Sequence, residues 1–556
     1  SQKGNGRNLQ PMTRKSKSGE GTANPEVEFN RALELFKGGN HQKAAKVVRA
    51  LAKKFPNVSE ILQLQGLIAV ESGKPKDAIK ILQKALNVKP DDPKALNNLA
   101  NAYRGSSQLE NARDAYRKSL DIRPAHPETL ANLGGVLADL GEFEAAETVL
   151  SEAMKLAPDF ADVGVNLSFV LIELRKLDQA IDCCLTTLEQ HPNQINILNN
   201  LGRAYLALGR NDDAEEVIKR ALGIDPSHTG ALQAMGILHF LHGRWPAAWE
   251  CYELRWRIQA TRYRAFPQPP WAGQPVEGKN LLVWGEQGVG DEILFTSMVP
   301  DLVEAGANVI LELDPRLVPL YERSFPSITC LPREFPPVKQ TLDKSIDYQV
   351  ATGSLGRWWR LDEASFPKRS SFLVADPVKT DTLRQRYRDG SESRIIGISW
   401  HSANKDIGDE KSMQIMDLAP LARVPGICLV DLQYGDSDMD RAQFEAETGV
   451  SVIRDKEIDS LKDLDGFAAQ VAAMDLIVSI SNTTVHVAGA LGVPAWVLLP
   501  NAPMWRWMID RDDTPWYPLV RLFRQNKRGD WPGVMEKVTV ALGGSREDFP
   551  SRPRGH

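Results

Sequence analysis

At 556 residues the chain is too long for one hydrophobic core, and two or three domains are expected. A net charge of −5 on an ordinary globular composition gives no sign of a nucleic-acid binder, and no apolar run is long enough to span a bilayer. The five cysteines, Cys183, Cys184, Cys251, Cys330 and Cys428, are odd in number and lack a CxxC spacing. They argue against a disulfide framework and a zinc site, and a reducing cytoplasm fits best.

Residues 1–24 are polar, rich in Gly, Ser and Lys, and read as disordered. They hold no apolar core of a secretory signal, and Met12 is a candidate natural start. From residue 25 a repeat takes over. Pro56, Pro90, Pro124, Pro158, Pro192 and Pro226 recur every 34 residues. Small residues sit in register, as in Gly134/Ala146, Ser168/Ala180 and Gly202/Ala214. This is the tetratricopeptide (TPR) helix–turn–helix pattern, with six regular repeats and a degenerate seventh, filling 25–262. Asn98, Asn132, Asn166 and Asn200 share one repeat position. A carboxamide both donates and accepts, so such a row suits an extended peptide backbone. The alternative is that Asn is merely tolerated on a solvated helix face.

Residues 263–277 form a proline-rich linker. Short β-rich runs then alternate with helices, the pattern of βαβ units and parallel sheets. Strands are expected at Leu281–Trp284, Val309–Glu312 and Tyr348–Val350 in a first Rossmann-like half, 278–376. A linker over 377–393 leads to a second half, 394–542, with strands at Ile395–Trp400, Ile427–Asp431, Val450–Ile453, Leu476–Ile480 and Ala495–Leu499 and a helix near 416–422. Residues 543–556 are a tail. Ligands in such sheets sit beyond the carboxyl ends of the strands, and the cleft between the halves is the expected site.

Four motifs carry chemistry. Gly285-Glu-Gln-Gly-Val-Gly-Asp-Glu-Ile-Leu294 is a strand–turn–helix that delivers Asp291 and Glu292 to a helix start, as a reacting acid or only as a helix cap. His401-Ser-Ala-Asn-Lys-Asp406, followed by Lys411 and Ser412, puts cations and hydroxyls at a strand's carboxyl end, suiting a phosphate or simply forming a solvated loop. Ser481-Asn-Thr-Thr-Val-His486 opens a small-residue helix whose donors could surround a phosphate. Trp505-Arg-Trp507 with Arg511 and Asp513–Pro518 suits either a sugar or packing between the halves. Asp436-Ser-Asp438 looks like a metal motif, but its helix-start context disfavours metal.

These motifs, in this order, resemble the bacterial TPR glycosyltransferases, whose catalytic half is similar to the GT-B heptosyltransferase-like group and more distantly to O-linked N-acetylglucosamine transferase. The resemblance rests on Glu286–Asp291, Lys411-Ser412, Leu432-Gln433, His486–Gly492 and Trp505–Pro518, and it spans nearly everything from Ala32 to Leu542. It implies a TPR superhelix followed by a GT-B fold of two Rossmann-like domains. It implies Asp291 as catalytic base. It implies donor contacts from Lys411, Ser412, Gln433, Thr483, Thr484 and His486, to which the residue chemistry of the third and fourth motifs adds Asn482, Trp505 and Arg506. The asparagine row resembles that transferase's peptide-binding ladder. Ser481 stands where many relatives carry Asp, which weakens an acidic donor contact there.

The expected function is metal-independent, cofactor-free transfer of a sugar from a CMP- or NDP-linked donor to Ser or Thr of a protein held by the repeats. Some relatives of this architecture modify flagellin in the cytoplasm with a nonulosonic acid such as pseudaminic acid, which makes flagellin the leading acceptor. Two alternatives are a non-catalytic TPR scaffold carrying a sugar-nucleotide domain and a glycan-directed transferase. The latter lacks a basic amphipathic stretch for a membrane surface and leaves the asparagine row unexplained.

Overall fold

The computed structural model describes residues 24–258, 263–402 and 408–543. Expectations for 1–23, for 544–556, for the end of the seventh repeat at 259–262 and for 403–407 of the phosphate-loop motif lie outside the described residues. The chain divides into two compact units, one reaching Tyr205 and including Gly223–Asp225, the other comprising Leu206–Leu222 and the residues from Pro226 onward.

In the first unit, paired helices repeat as the proline register requires: Pro25–Lys37 with His41–Lys54, Ser59–Glu71 with Pro75–Val88, Pro93–Gly105 with Leu109–Ile122, Pro127–Asp139 with Phe143–Leu156, and Ala161–Glu173 with Leu177–Gln190. Each second helix ends two residues before its repeat's proline, because the residue preceding proline is driven out of the helical region. Ala78, Ala112, Ala146 and Ala180 are fully buried. A β-carbon on Gly134 would lie 2.4 Å from Leu150, so the small residues permit close helix approach. Asn24, expected within a disordered arm, caps the first helix by accepting from the Glu26 N–H at 3.1 Å. The chain is a TPR-repeat protein.

The second unit contains the last repeat, Thr229–Leu241 with Trp245–Tyr252, and two parallel sheets flanked by helices. The first sheet has strands β1 (Asn280–Trp284), β2 (Asn308–Leu313), β3 (Thr329–Pro332) and β4 (Tyr348–Ala351), in the order β3-β2-β1-β4. The second has β5 (Arg394–Ser399), β6 (Ile427–Asp431), β7 (Val452–Ile453), β8 (Leu476–Ile480), β9 (Ala495–Leu499) and β10 (Val520–Arg524), in the order β10-β9-β8-β5-β6-β7. The order reverses direction between β5 and β8, where the loops leave to opposite faces and open a crevice.

Four local differences separate the fold from the sequence expectation. The 377–393 linker is mostly helix, Pro377–Arg388, capped by Asp376 and burying Leu383 and Tyr387. The helix near 416–422 is a 3-10 helix, Ile415–Arg423, because Pro420 removes a helical donor. The strand expected over 450–453 is reduced to two residues, Val452–Ile453. Strands β3 and β10 were not expected; both are sheet edges, paired on one side only, and β10 is interrupted by Arg521. The 263–277 linker runs along β4, where Trp271 N donates to Gln349 O at 2.8 Å and Gln349 N to Pro269 O at 3.0 Å.

Candidate functional site

The turn after β1 carries Gln287 in the left-handed region, φ 62°. It feeds the helix Val289–Thr296, whose N-cap is Gly288 with no side-chain cap. Asp291 is therefore not a cap. Gly290 is small for a tertiary reason, since a β-carbon there would lie 3.0 Å from the His486 ring. The starts of the helices Val289–Thr296 and Thr483–Leu491, one from each sheet layer, thus meet face to face.

A cavity of about 270 Å³ opens where they meet. Asp291, Lys411, Asn482, Thr483, Thr484, His486 and Arg506 all line it. It lies at the carboxyl ends of β5 and β8, where the strand order reverses. The hydroxyls of Thr483 and Thr484 make no hydrogen bond to the described protein, whereas Asn482 is fully used. Its Oδ1 caps Thr484 N at 3.1 Å, and its Nδ2 donates to Ser399 Oγ at 2.7 Å. The first turn of Thr483–Leu491 borders this space, and a helix N-terminus favours an anion, although its Thr484 N–H is already taken by Asn482.

Lys411 is buried, 8 % exposed, and its ammonium has no carboxylate or hydrogen-bond partner among the described residues. Burial, reinforced by Arg506 and opposed by Asp291, pushes its pKa down to about 8. His486 is held well below its ordinary range by burial, then by Arg506 and Lys411, so it is neutral. Its Nδ1 lies 3.1 Å from Tyr517 Oη and its Nε2 3.5 Å from Arg506 Nη1. The guanidinium can only donate, so Nε2 is the accepting nitrogen and Nδ1–H donates to Tyr517. Arg506 also donates from Nη2 to Asp291 Oδ1 at 2.5 Å.

Three residues expected at the donor are placed elsewhere. Ser412 braces its loop, accepting from Ser402 N at 2.9 Å and donating to Gly408 O at 2.6 Å. Gln433, 3 % exposed, clamps two loops: Oε1 accepts from Ser399 Oγ, Trp400 N and His401 N, and Nε2 donates to His401 O at 3.2 Å. Its amide has nothing left for a nucleotide base. Trp505 stacks on Phe240 at 4.3 Å and borders a second, larger cavity instead. Glu292 turns inward, paired with Arg333 and accepting from Asp314 N at 2.9 Å; burial raises its carboxyl pKa against the pull of Arg333. Ser481 accepts from the Trp507 indole at 2.7 Å. Asp436 caps the Asp438 N–H at 3.0 Å and Asp438 pairs with Arg441, so both carboxylates have protein partners. Tyr434 and Arg316 line the smaller cavity and were not singled out from sequence. Tyr434 lies three residues beyond the end of β6, and its place at a strand's carboxyl end is the signal that could have found it.

The second cavity, about 1230 Å³, shares Gly288, Asp291, Met504 and Arg506 with the first. Its walls include Tyr252, Arg255, Trp256, Trp284 and Trp505. Asp291 therefore borders both spaces.

The asparagine row is not a free, exposed ladder. Asn166 Nδ2 donates to Ala131 O at 3.3 Å, and Asn200 Nδ2 to Val165 O at 3.1 Å and Ser168 Oγ at 2.9 Å. Asn200 is 5 % exposed, and Asn132 Nδ2 is buried without a partner. Asn98 is half-buried and makes no hydrogen bond to the described protein. The amide nitrogens of Asn166 and Asn200 stitch neighbouring repeats, while none of the four amide oxygens accepts a bond from the described protein. Asn200→Ala is expected to cost about 1–3 kcal/mol by unpairing buried groups, and Asn98→Ala within about 0.5 kcal/mol. Urea denaturation of the two variants measures the contrast; equal midpoints would contradict it.

Among the described residues, no helix is long and apolar enough to cross a membrane. The profile of the cilia and flagella-associated protein 70 C-terminal domain matches residues 28–253. Protein FlbA of Caulobacter vibrioides is 34% identical over 317 residues, 54% of this chain and 52% of FlbA. The chain thus spans about half the length of that relative. Among solved structures, YrrB, described as a TPR protein with an unusual peptide-binding site, is 21% identical with a TM-score of 0.30, over 34% of this chain and 98% of YrrB. Cut9–Hcn1 of the APC/C is 18% identical with a TM-score of 0.38, over 42% of this chain and 46% of that one. MamA is 25% identical with a TM-score of 0.27, over 28% of this chain and 92% of MamA.

Proposed function

We propose that the chain is a GT-B protein O-glycosyltransferase that moves a sugar from a nucleotide donor to Ser or Thr of a polypeptide bound by the repeats. One observation carries this reading. A carboxylate, Asp291, stands on the wall between an anion-suited cavity and a larger open one. In the reaction, the acceptor hydroxyl gives its proton to Asp291 while its oxygen bonds the sugar's anomeric carbon. The bond from that carbon to the phosphate oxygen breaks, and its electron pair leaves on the phosphate. Lys411 and the N-terminus of the Thr483–Leu491 helix stabilise that developing charge. The resemblance to flagellin-modifying relatives makes flagellin the proposed acceptor and a CMP-linked nonulosonic acid the proposed donor, in the cytoplasm. Intact-mass analysis of flagellin from cells with and without the protein tests the assignment; identical masses would remove flagellin.

The anion site has its own test. Lys411→Met should weaken nucleotide binding by about 1.5–3 kcal/mol, the value of a hydrogen bond to a charged group. Lys411 binds an anion only when protonated. Affinity should therefore be full below pH 8 and fall as pH rises through about 8. Asp291 and Arg506 face the same space, and neutral His486 adds no charge there. Calorimetry from pH 6.5 to about 9.5 reads the fall. A flat profile in a folded protein would remove Lys411 from the site.

A non-catalytic scaffold is the second reading, favoured by the Asp291–Arg506 ion pair, which occupies the proposed base. Donor hydrolysis by the purified chain separates the two.

A further inference from the structure

Arg506 lies on the boundary of both cavities and is 7 % exposed. Of its five N–H donors, one makes a short bond, Nη2 to Asp291 Oδ1 at 2.5 Å. Its Nη1 reaches the neutral His486 only at 3.5 Å, and its Nε is buried with no partner among the described residues. A guanidinium normally saturates its planar fork when it is buried, because each unpaired donor is costly away from water. Among the described residues most of the fork is left unused, beside an ammonium, Lys411, that has no partner among them either. Arg506 and Lys411 repel one another, and Asp291 is the carboxylate that reaches the guanidinium. Arg316, which also lines this space, is paired with Asp314, so Lys411 and Arg506 face it with Asp291 as the one carboxylate of its described lining, and it is short of negative charge.

We infer that Arg506 is a positioning residue operated by the donor: it holds Asp291 while the smaller cavity is empty, and an anionic leaving group there draws it off and frees the carboxylate. The inference rests on the transferase reading of this site. It reconciles the occupied base with catalysis, because Asp291 is blocked only until a phosphate competes for the same guanidinium. The acceptor hydroxyl then meets a free carboxylate only after the donor has bound, which makes donor binding the first step. His486, stacked on Trp507 at 5.6 Å and anchored by Tyr517, is the fixed wall behind the guanidinium.

Competition is reciprocal: if the anion weakens the Asp291–Arg506 bond, that bond weakens the anion by the same factor. The test is calorimetry of inorganic pyrophosphate binding to the full chain. Asp291→Asn should bind pyrophosphate roughly 5–150-fold more tightly than the wild type, the usual span of such couplings. In an Arg506→Met background the same change should gain almost nothing. Arg506→Gln, which keeps hydrogen-bonding capacity beside His486, serves as the second background should the Met variant fail to fold. No gain in Asp291→Asn overturns the clamp. An equal gain in the variant backgrounds overturns it too, since Asp291 would then act only as a nearby charge. If wild type and Lys411→Met are both unable to bind pyrophosphate, the anion site itself falls, and the transferase reading falls with it.

Discussion

Asp291→Asn should reduce sugar transfer by about 10²–10⁴-fold, the usual worth of a positioned general base. The replacement is isosteric, Asp291 caps no helix, and the amide oxygen of Asn can still accept from Arg506, so the fold should be kept at a modest cost in stability. Nucleotide affinity should not weaken, because the lost charge repels the phosphate and competes for Arg506. Turnover should therefore fall without a matching rise in the donor's KM, the mark of an interaction made in the transition state. Steady-state rates, with a melting temperature showing that the variant is folded under the assay conditions, are the measurement. Turnover near the wild-type value would dismiss Asp291 as the base. Glu292 could not take its place, because it is fully buried and engaged by Arg333 and Asp314 N.

Glu286→Ala should destabilise the second unit by about 3 kcal/mol, the low end of the cost of breaking a buried pair. Glu286 accepts from Arg255 Nε at 2.9 Å and Nη2 at 2.7 Å, and from Gly353 N at 3.1 Å. Arg255 is 8 % exposed, with its guanidinium 4.1 Å from the Tyr252 ring centre and 4.2 Å from that of Trp256. Without Glu286 it keeps only Glu253, Ser354 Oγ and the Tyr252 carbonyl, which sets the cost at the low end. The glycine turn that carries Asp291 begins at this pair, so transfer should fall as well. Thermal denaturation followed for the second unit's transition reads the loss. An unchanged transition would mean that the pair contributes nothing net, as some buried pairs do.

Much of the fold was legible because it rests on local periodicity. The repeat needs only small residues where helices touch and proline where they end, and both are visible at fixed spacing. Central strands such as β5 and β8 are continuous apolar runs, since both faces are covered. Strands β3 and β10 escaped notice because they are short and broken, β3 ended by Pro332 and β10 interrupted by Arg521, which edge strands tolerate. The site was legible as a set of places: turns after β1, β5 and β8 must converge at carboxyl ends.

The sequence by itself determined the repeat register, the two parallel sheets and the segments that face the cavity, because burial patterns and turn residues act over a few neighbours. Only the tertiary structure decided what each polar side chain does there. Gln433 and Ser412 look like ligand groups, yet their hydrogen bonds close loops within the protein. Asn166 and Asn200 look like exposed hooks, yet their nitrogens bind the backbone of the preceding repeat. Asp291 and Arg506 are brought together across 215 residues. Such choices depend on which donor reaches which acceptor once loops far apart in the chain are packed, and a buried polar group takes whatever partner that packing supplies.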